Sequence, residues 1–209
     1  MIKRVTEFTM LASAALLGIS FASTIWAADV NKLVETCANC HGKGGASTEP
    51  EVPIIGGYST EFLVNNLKAY KNQERACPET EYKSGSKKGT KTDMCKMVKD
   101  LKDDDIKQIA QYYSKQKFVR AKQQKFDAAL AAKGKEVHEI YCEKCHSEGG
   151  TVAKDEAGLP AGQWMPYLKH AFEEFNNGKR PITKKMKAKM DELEPADIDA
   201  LINYYGSFK

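Results

Sequence analysis

The sequence predicts an all-α chain built as two tandem domains related by internal duplication. Three observations carry this reading. The chain repeats itself at a fixed offset, each copy spaces its apolar residues as helices do, and alternating strand patterns are absent.

Shifted by 105 residues, Cys37, Cys40 and His41 fall on Cys142, Cys145 and His146. At that offset Gly57 meets Gly162, Leu63 meets Leu168, Leu67 meets Phe172, Tyr70 meets Phe175 and Arg75 meets Arg180. Beyond them the offset drops to 92, and Met94 meets Met186, Leu101 meets Leu193, Asp105 meets Asp197, Ile106 meets Ile198, and Tyr112-Tyr113 meets Tyr204-Tyr205. The first copy therefore holds 13 extra residues between Ala76 and Met94. The expected division is a first domain over 28–117 with its insertion at about 77–93, an interdomain segment over 118–130, and a second domain over 131–209.

Each copy yields three helices. Val30–Ala38 and Gly134–Tyr141 lead into the cysteine motifs. Glu61–Lys71 and Met165–Asn176 carry apolar residues at helical spacing. Asp103–Lys117 and Pro195–Tyr205 open on acidic residues or proline, as helix N-termini do, and align Ile106, Ile109 and Tyr112, or Ile198, Leu201 and Tyr205, on one face. At roughly 80–90 residues each domain is small for a self-sufficient core.

The N-terminus reads as a secretory signal. Lys3 and Arg4 precede an apolar stretch from Met10 to Trp26, and Ala27 supplies a small residue for cleavage, so 1–27 is the expected signal peptide. Export would place the mature chain in the periplasm, and nothing later in the sequence is long and apolar enough to span a bilayer. With 32 basic against 28 acidic residues the formal charge is +4, which does not point to nucleic acid. Basic residues cluster late, at Lys179, Arg180, Lys184, Lys185, Lys187 and Lys189, as a solvated face or as a docking patch for an acidic partner.

Six cysteines carry most of the chemical information. Cys37-Ala38-Asn39-Cys40-His41 and Cys142-Glu143-Lys144-Cys145-His146 are both C-x-x-C-H. Two thiols on one turn can add to the two vinyl groups of a haem, and the adjacent histidine can reach the iron. A zinc site made from both pairs would need them to converge from 105 residues apart and would leave His41 and His146 unexplained. Two haem c groups are thus expected, with Cys37, Cys40, Cys142 and Cys145 as attachment points and His41 and His146 as iron ligands.

The repeat also selects the second ligand. A His/Met pair is a standard cytochrome c ligation, and of Met94, Met97, Met165, Met186 and Met190 only Met94 and Met186 occupy equivalent positions. Met97 and Met190 read as flexible core filler, and His138 and His170 as surface or packing residues. Arg75 and Arg180, also equivalent, could hold haem propionates or could end their helices in solvent. Cys77 and Cys95 bracket the insertion, which is rich in Lys, Gly, Ser and Thr. A disulfide closing it, free thiols, or copper held with Met94 and Met97 are the alternatives.

With two C-x-x-C-H motifs, two trailing methionines and a closing D-I-x-x-I-A-x-Y-Y helix, the chain resembles the dihaem class I cytochromes c of the c-four kind. Its second half also resembles the haem subunit of flavocytochrome c sulfide dehydrogenase. That likeness rests on Tyr141–His146, Glu148-Gly149-Gly150, Ala161-Gly162-Gln163-Trp164, Pro166-Tyr167-Leu168, Arg180-Pro181 and Lys184-Lys185-Met186, with Lys117–Leu130 like its interdomain segment.

The resemblance implies two class I cytochrome c domains about a pseudo-twofold axis and a partner chain that bears FAD and oxidises sulfide. A soluble acceptor such as a small cytochrome c would take the electrons. On that reading the chain is not an enzyme on its own, since it lacks a G-x-G-x-x-G dinucleotide pattern, and FAD belongs to the partner. The alternative is a free-standing dihaem carrier feeding a terminal oxidase. Class I cytochromes often place a proline about a dozen residues after the haem histidine, its carbonyl fixing the ring. Pro53 suits this, whereas Pro160 is out of register.

Overall fold

The computed structural model describes residues 22–209, with side chains from Val30 onward. The expected signal segment lies outside the described residues as far as Phe21, and its cleavage point falls within the first helix. The first copy comprises α1 (Ala22–His41), α2 (Thr60–Lys71), a minimal hairpin of β1 (Thr80–Glu81) and β2 (Lys91–Thr92), then α3 (Met94–Val98) and α4 (Asp103–Ser114). The second comprises α5 (Ala128–Tyr141), a single turn α6 (Ser147–Gly150), α7 (Met165–Asn176), α8 (Lys184–Met190) and α9 (Pro195–Gly206).

Local chemistry sets the helix ends. Ser59 Oγ accepts from Phe62 N at 3.1 Å to open α2, and Asp127 Oδ1 accepts from Ala129 N and Leu130 N at 2.8 and 3.0 Å to open α5. Asp127 thus starts α5 three residues inside the segment expected to be a linker. The closing helices start alike. Asp105 accepts from Lys102 N and Asp197 from Glu194 N, at 2.8 and 3.1 Å, two residues equivalent at the offset of 92.

Each copy buries the faces its periodicity marks. Val34 of α1, Leu63 of α2 and Ile109, Ala110 and Tyr113 of α4 form the first core. Val137 of α5, Leu168 of α7 and Leu201, Ile202 and Tyr205 of α9 form the second. In the second, α5 and α9 cross so closely that a Cβ on Gly134 would lie 2.0 Å from the carbonyl oxygen of Ala200, so only glycine fits there. Gly57 and Gly162 close matching turns with φ of 84° and 80°, each donating its N–H to the tyrosine carbonyl of its closing helix, Tyr113 at 2.9 Å and Tyr205 at 2.7 Å.

The absence of strands needs correcting. Thr80 pairs with Thr92 and Glu81 with Lys91 inside the insertion, antiparallel. Two-residue strands carry no readable alternation. The insertion is held instead by the Cys77–Cys95 disulfide at its base, with a Cα–Cα distance of 5.8 Å, and by Lys83 N and Ser84 N, which donate to the carbonyl of Asn39 at 3.1 and 2.9 Å.

The two copies share one interface. Gln163, fully buried, accepts from Ile54 N at 2.9 Å and donates to Ile54 O at 3.0 Å, and Trp164 Nε1 donates to Ser47 O at 3.0 Å. Leu159 of the second copy completes the core of the first. The interdomain segment runs along the second copy, where Ala121 N donates to Gly162 O at 2.7 Å and Gln124 Nε2 to Gln163 O at 2.8 Å.

Candidate functional site

The last turn of α1 carries Cys37, Cys40 and His41 to the wall of an apolar cavity of about 260 Å³. A single water needs only about 10–15 Å³, so this is no packing defect. Ile55 and Tyr58 line it, as do Met94, Met97 and Val98 of α3. The sequence reading thus has its proximal and distal candidates brought to one space.

His41 is buried, and its Nδ1 lies 2.9 Å from the carbonyl oxygen of Pro53. A carbonyl can only accept, so Nδ1 bears the proton and Nε2 keeps its lone pair. Burial lowers the histidine's pKa despite the Pro53 bond, so the ring is neutral, the form that binds a metal. In the second copy His146 repeats this with Nδ1 3.2 Å from Gly158 O, again with its pKa lowered by burial. Pro53 and Gly158 each stand 12 residues after their histidine. The out-of-register Pro160 is therefore immaterial, because the backbone carbonyl at that distance does the work whichever residue supplies it.

Cys37 and Cys142 sit against Tyr113 and Tyr205, the equivalent tyrosines of the closing helices. Burial pushes the Cys37 thiol up to about 11 and raises that of Cys142. Cys145 is exposed, whereas Cys40 is half-buried beside the carbonyl of Glu81 in the insertion. The motifs differ locally: Cys37–His41 continue α1, while Cys142 caps α5 and the rest of its motif is a turn. Met186 lies in α8, its N–H held by Thr183 Oγ1 at 3.2 Å, as Met94 lies in α3 behind the cap of Asp93.

Arg75 and Arg180 are both buried, so neither ends a helix in solvent. Arg75 donates through Nε and Nη2 to Glu174 Oε2 at 3.2 and 2.8 Å and through Nη1 to Asn66 Oδ1 at 3.0 Å. Arg180 Nη1 stands 3.8 Å from the same Glu174 oxygen and donates to Tyr167 Oη at 3.4 Å. Burial would raise the pKa of Tyr167, but the Arg180 and Arg75 guanidiniums beside it bring it below the ordinary value. Two guanidiniums against one carboxylate leave a buried excess of positive charge at the cavity wall, suited to an anionic group.

Sequence reasoning missed Glu174. Its only signal is its place three residues after the buried Ala171, on the inward side of α7. The basic cluster also needs correcting. Arg180 is buried, while Lys179, Lys184, Lys185, Lys187 and Lys189 are exposed, Lys187 paired with Asp191 and Lys189 with Glu192. His138 is fully buried between Tyr205 Oη and the carboxylate of Glu143, and His170 is half-exposed beside Glu174. Cys77 and Cys95 are joined, so the soft thiolates that a copper site with Asp93 would use are not available.

Comparison with known proteins fits this geometry. Residues 27–117 match the family described as Cytochrome c, and 129–204 match that described as Cytochrome C oxidase, cbb3-type, subunit III. Cytochrome c-554(548) of Halomonas halodenitrificans is 35% identical over 83 residues, 40% of this chain and 87% of that protein. The chain belongs to the cytochrome c family. Cytochrome c4 of Stutzerimonas stutzeri is 29% identical over 191 residues, 82% of this cytochrome and 83% of the relative. In fold, the crystal structure of reduced recombinant cytochrome c4 from Pseudomonas stutzeri superposes with a TM-score of 0.67 at 24% identity, over 88% of this chain and 98% of that one.

This cytochrome thus consists of two tandem cytochrome c domains, binds two haem c groups covalently and transfers electrons. The residues present fit the group: an apolar cavity, paired thiols, a neutral imidazole whose Nε2 keeps its lone pair, methionines on the same cavity wall, and buried guanidiniums suited to carboxylates. Among the described residues no helix is long and apolar enough to cross a membrane.

Proposed function

We propose that this cytochrome is a free-standing periplasmic two-haem carrier of the c4 kind, passing electrons from a donor to a soluble cytochrome or a terminal oxidase. Cys37 and Cys40, and Cys142 and Cys145, form the thioether links. His41 with Met94, and His146 with Met186, hold the two irons, each of which supplies one-electron exchange when bound. Pro53 O and Gly158 O orient the imidazoles, and the methionine thioethers favour the reduced state. Arg75 and Arg180 hold propionate carboxylates.

The observation that carries this reading is the Arg75–Glu174–Arg180 junction. Domain two supplies Glu174, Arg180 and Tyr167 to the wall of the cavity in domain one, so the two sites are built as one unit. The relatives named cytochrome c4 match over 82% and 94% of the chain, across both domains, which supports a dihaem carrier of that kind.

A second reading makes the chain the haem subunit of a sulfide dehydrogenase beside an FAD-bearing partner. It rests on the likeness of the second half. Gln163 and Trp164, central to that likeness, are engaged with Ile54 and Ser47 of domain one, so they report on the domain interface rather than on a flavoprotein.

Purification from the native periplasm with flavin analysis tests the choice. A flavin-free dihaem protein that exchanges electrons rapidly with a small cytochrome c, and does not turn over sulfide, supports the carrier. Stoichiometric co-purification of an FAD chain that confers sulfide oxidation replaces it with the second reading.

A further inference from the structure

Two methionines line the first cavity. Met94 and Met97 stand three residues apart on the single turn of α3. Either thioether has the chemistry of an axial ligand, so something must decide between them.

The insertion supplies a candidate. Tyr82 follows β1 and donates its hydroxyl to Met97 Sδ at 3.1 Å. Its backbone is fixed within the hairpin, where Tyr82 N donates to Thr90 O at 3.1 Å and Gly89 N to Tyr82 O at 2.9 Å. The hairpin is pinned at both ends, to α3 through the Cys77–Cys95 bridge and to the first C-x-x-C-H motif through the carbonyl of Asn39. The hydroxyl is therefore held in place against that sulfur.

The second copy is built differently here. At the offset of 92, Lys189 stands where Met97 stands in the first, and it pairs with Glu192 Oε1 at 2.7 Å. That copy has no insertion and no counterpart of Tyr82. Its second methionine, Met190, follows Met186 by four residues where Met97 follows Met94 by three, so the hydroxyl cap belongs to the insertion of the first copy.

We propose that Tyr82 is a positioning residue that withholds Met97 from the first haem iron, so that Met94 alone ligates it. The hydroxyl proton engages a sulfur lone pair and ties the Met97 side chain to the hairpin, away from the iron. The inference rests on the reading of Met94 as the ligand.

The test uses reduced holoprotein and proton NMR, in which an iron-bound methionine methyl is shifted far upfield by the haem ring current. Wild type is expected to show two such resonances, one per haem. Tyr82→Phe removes one oxygen and keeps the ring, and is expected to add a third resonance at the expense of the one from the first haem, with a matching split in that haem's potential. Met97→Leu in the Tyr82→Phe background is expected to restore two resonances, and Met97→Leu alone to match wild type. Two unchanged resonances in Tyr82→Phe would overturn the proposal. Met94→Leu separates it from its premise, because two resonances at wild-type positions in that variant would show that Met94 is not the ligand at all.

Discussion

Glu174 of the second domain accepts two hydrogen bonds from Arg75 of the first, and the two side chains are only 3% and 5% exposed. Burial of this kind makes the pair costly to break from one side. Removing the carboxylate leaves Arg75 and Arg180 charged, buried and without their shared counterion.

Glu174→Ala is therefore expected to destabilise the holoprotein by about 3 kcal/mol, and Glu174→Gln by less because it keeps an acceptor. Equilibrium denaturation in guanidinium chloride measures both. A loss below about 1 kcal/mol in Glu174→Ala would show that the haem propionates proposed to meet these arginines balance them without the Glu174 carboxylate.

Gly158 contributes through its carbonyl oxygen and not through its lack of a side chain. A Cβ there would meet only Phe62, at 3.6 Å, an ordinary contact. Gly158→Ala is expected to change stability by no more than about 0.5 kcal/mol and to leave the potential of the second haem unchanged in a potentiometric titration.

Replacing Cys142 and Cys145 together by alanine is expected to reduce the intact mass by one haem beyond the substitutions themselves, and replacing Cys37 and Cys40 to do the same. Wild type should exceed its polypeptide mass by two haems that acid-acetone does not extract. A colour that extracts would contradict the thioether assignment.

Cys77→Ala opens a bridge between residues 18 apart. Loop entropy puts the expected loss at about 3 kcal/mol. Thiol titration of denatured, unreduced wild type is expected to find no free thiol, and a crosslinked peptide should contain Cys77 and Cys95.

Much of this was legible in the sequence because it recurs. The offsets of 105 and 92 locate both cores, both motifs and the closing helices, and α7 runs over the span that its apolar spacing marks. What escaped has no local signature. Glu174 reads as an ordinary helix acid, since its partner Arg75 lies 99 residues away. The imidazole acceptor is a backbone atom, so proline is a poor guide to it, as Gly158 shows. The hairpin is too short to alternate. Whether Arg75 and Arg180 were buried could not be read from either alone, because the carboxylate that Arg75 meets, Glu174, and the amide that Arg180 meets, Asn66, lie in the other domain.

The wall that Tyr167, Glu174 and Arg180 lend to the first cavity has a consequence for the chain as a set of parts. Severed in the interdomain segment, the first half would keep its thiols, its histidine and its methionines, yet one side of its cleft would stand open to water. The halves match letter for letter at the motif positions, but they are no longer interchangeable modules. A repeat along the chain has become a dependence in space, and the first half cannot be transplanted without bringing its neighbour.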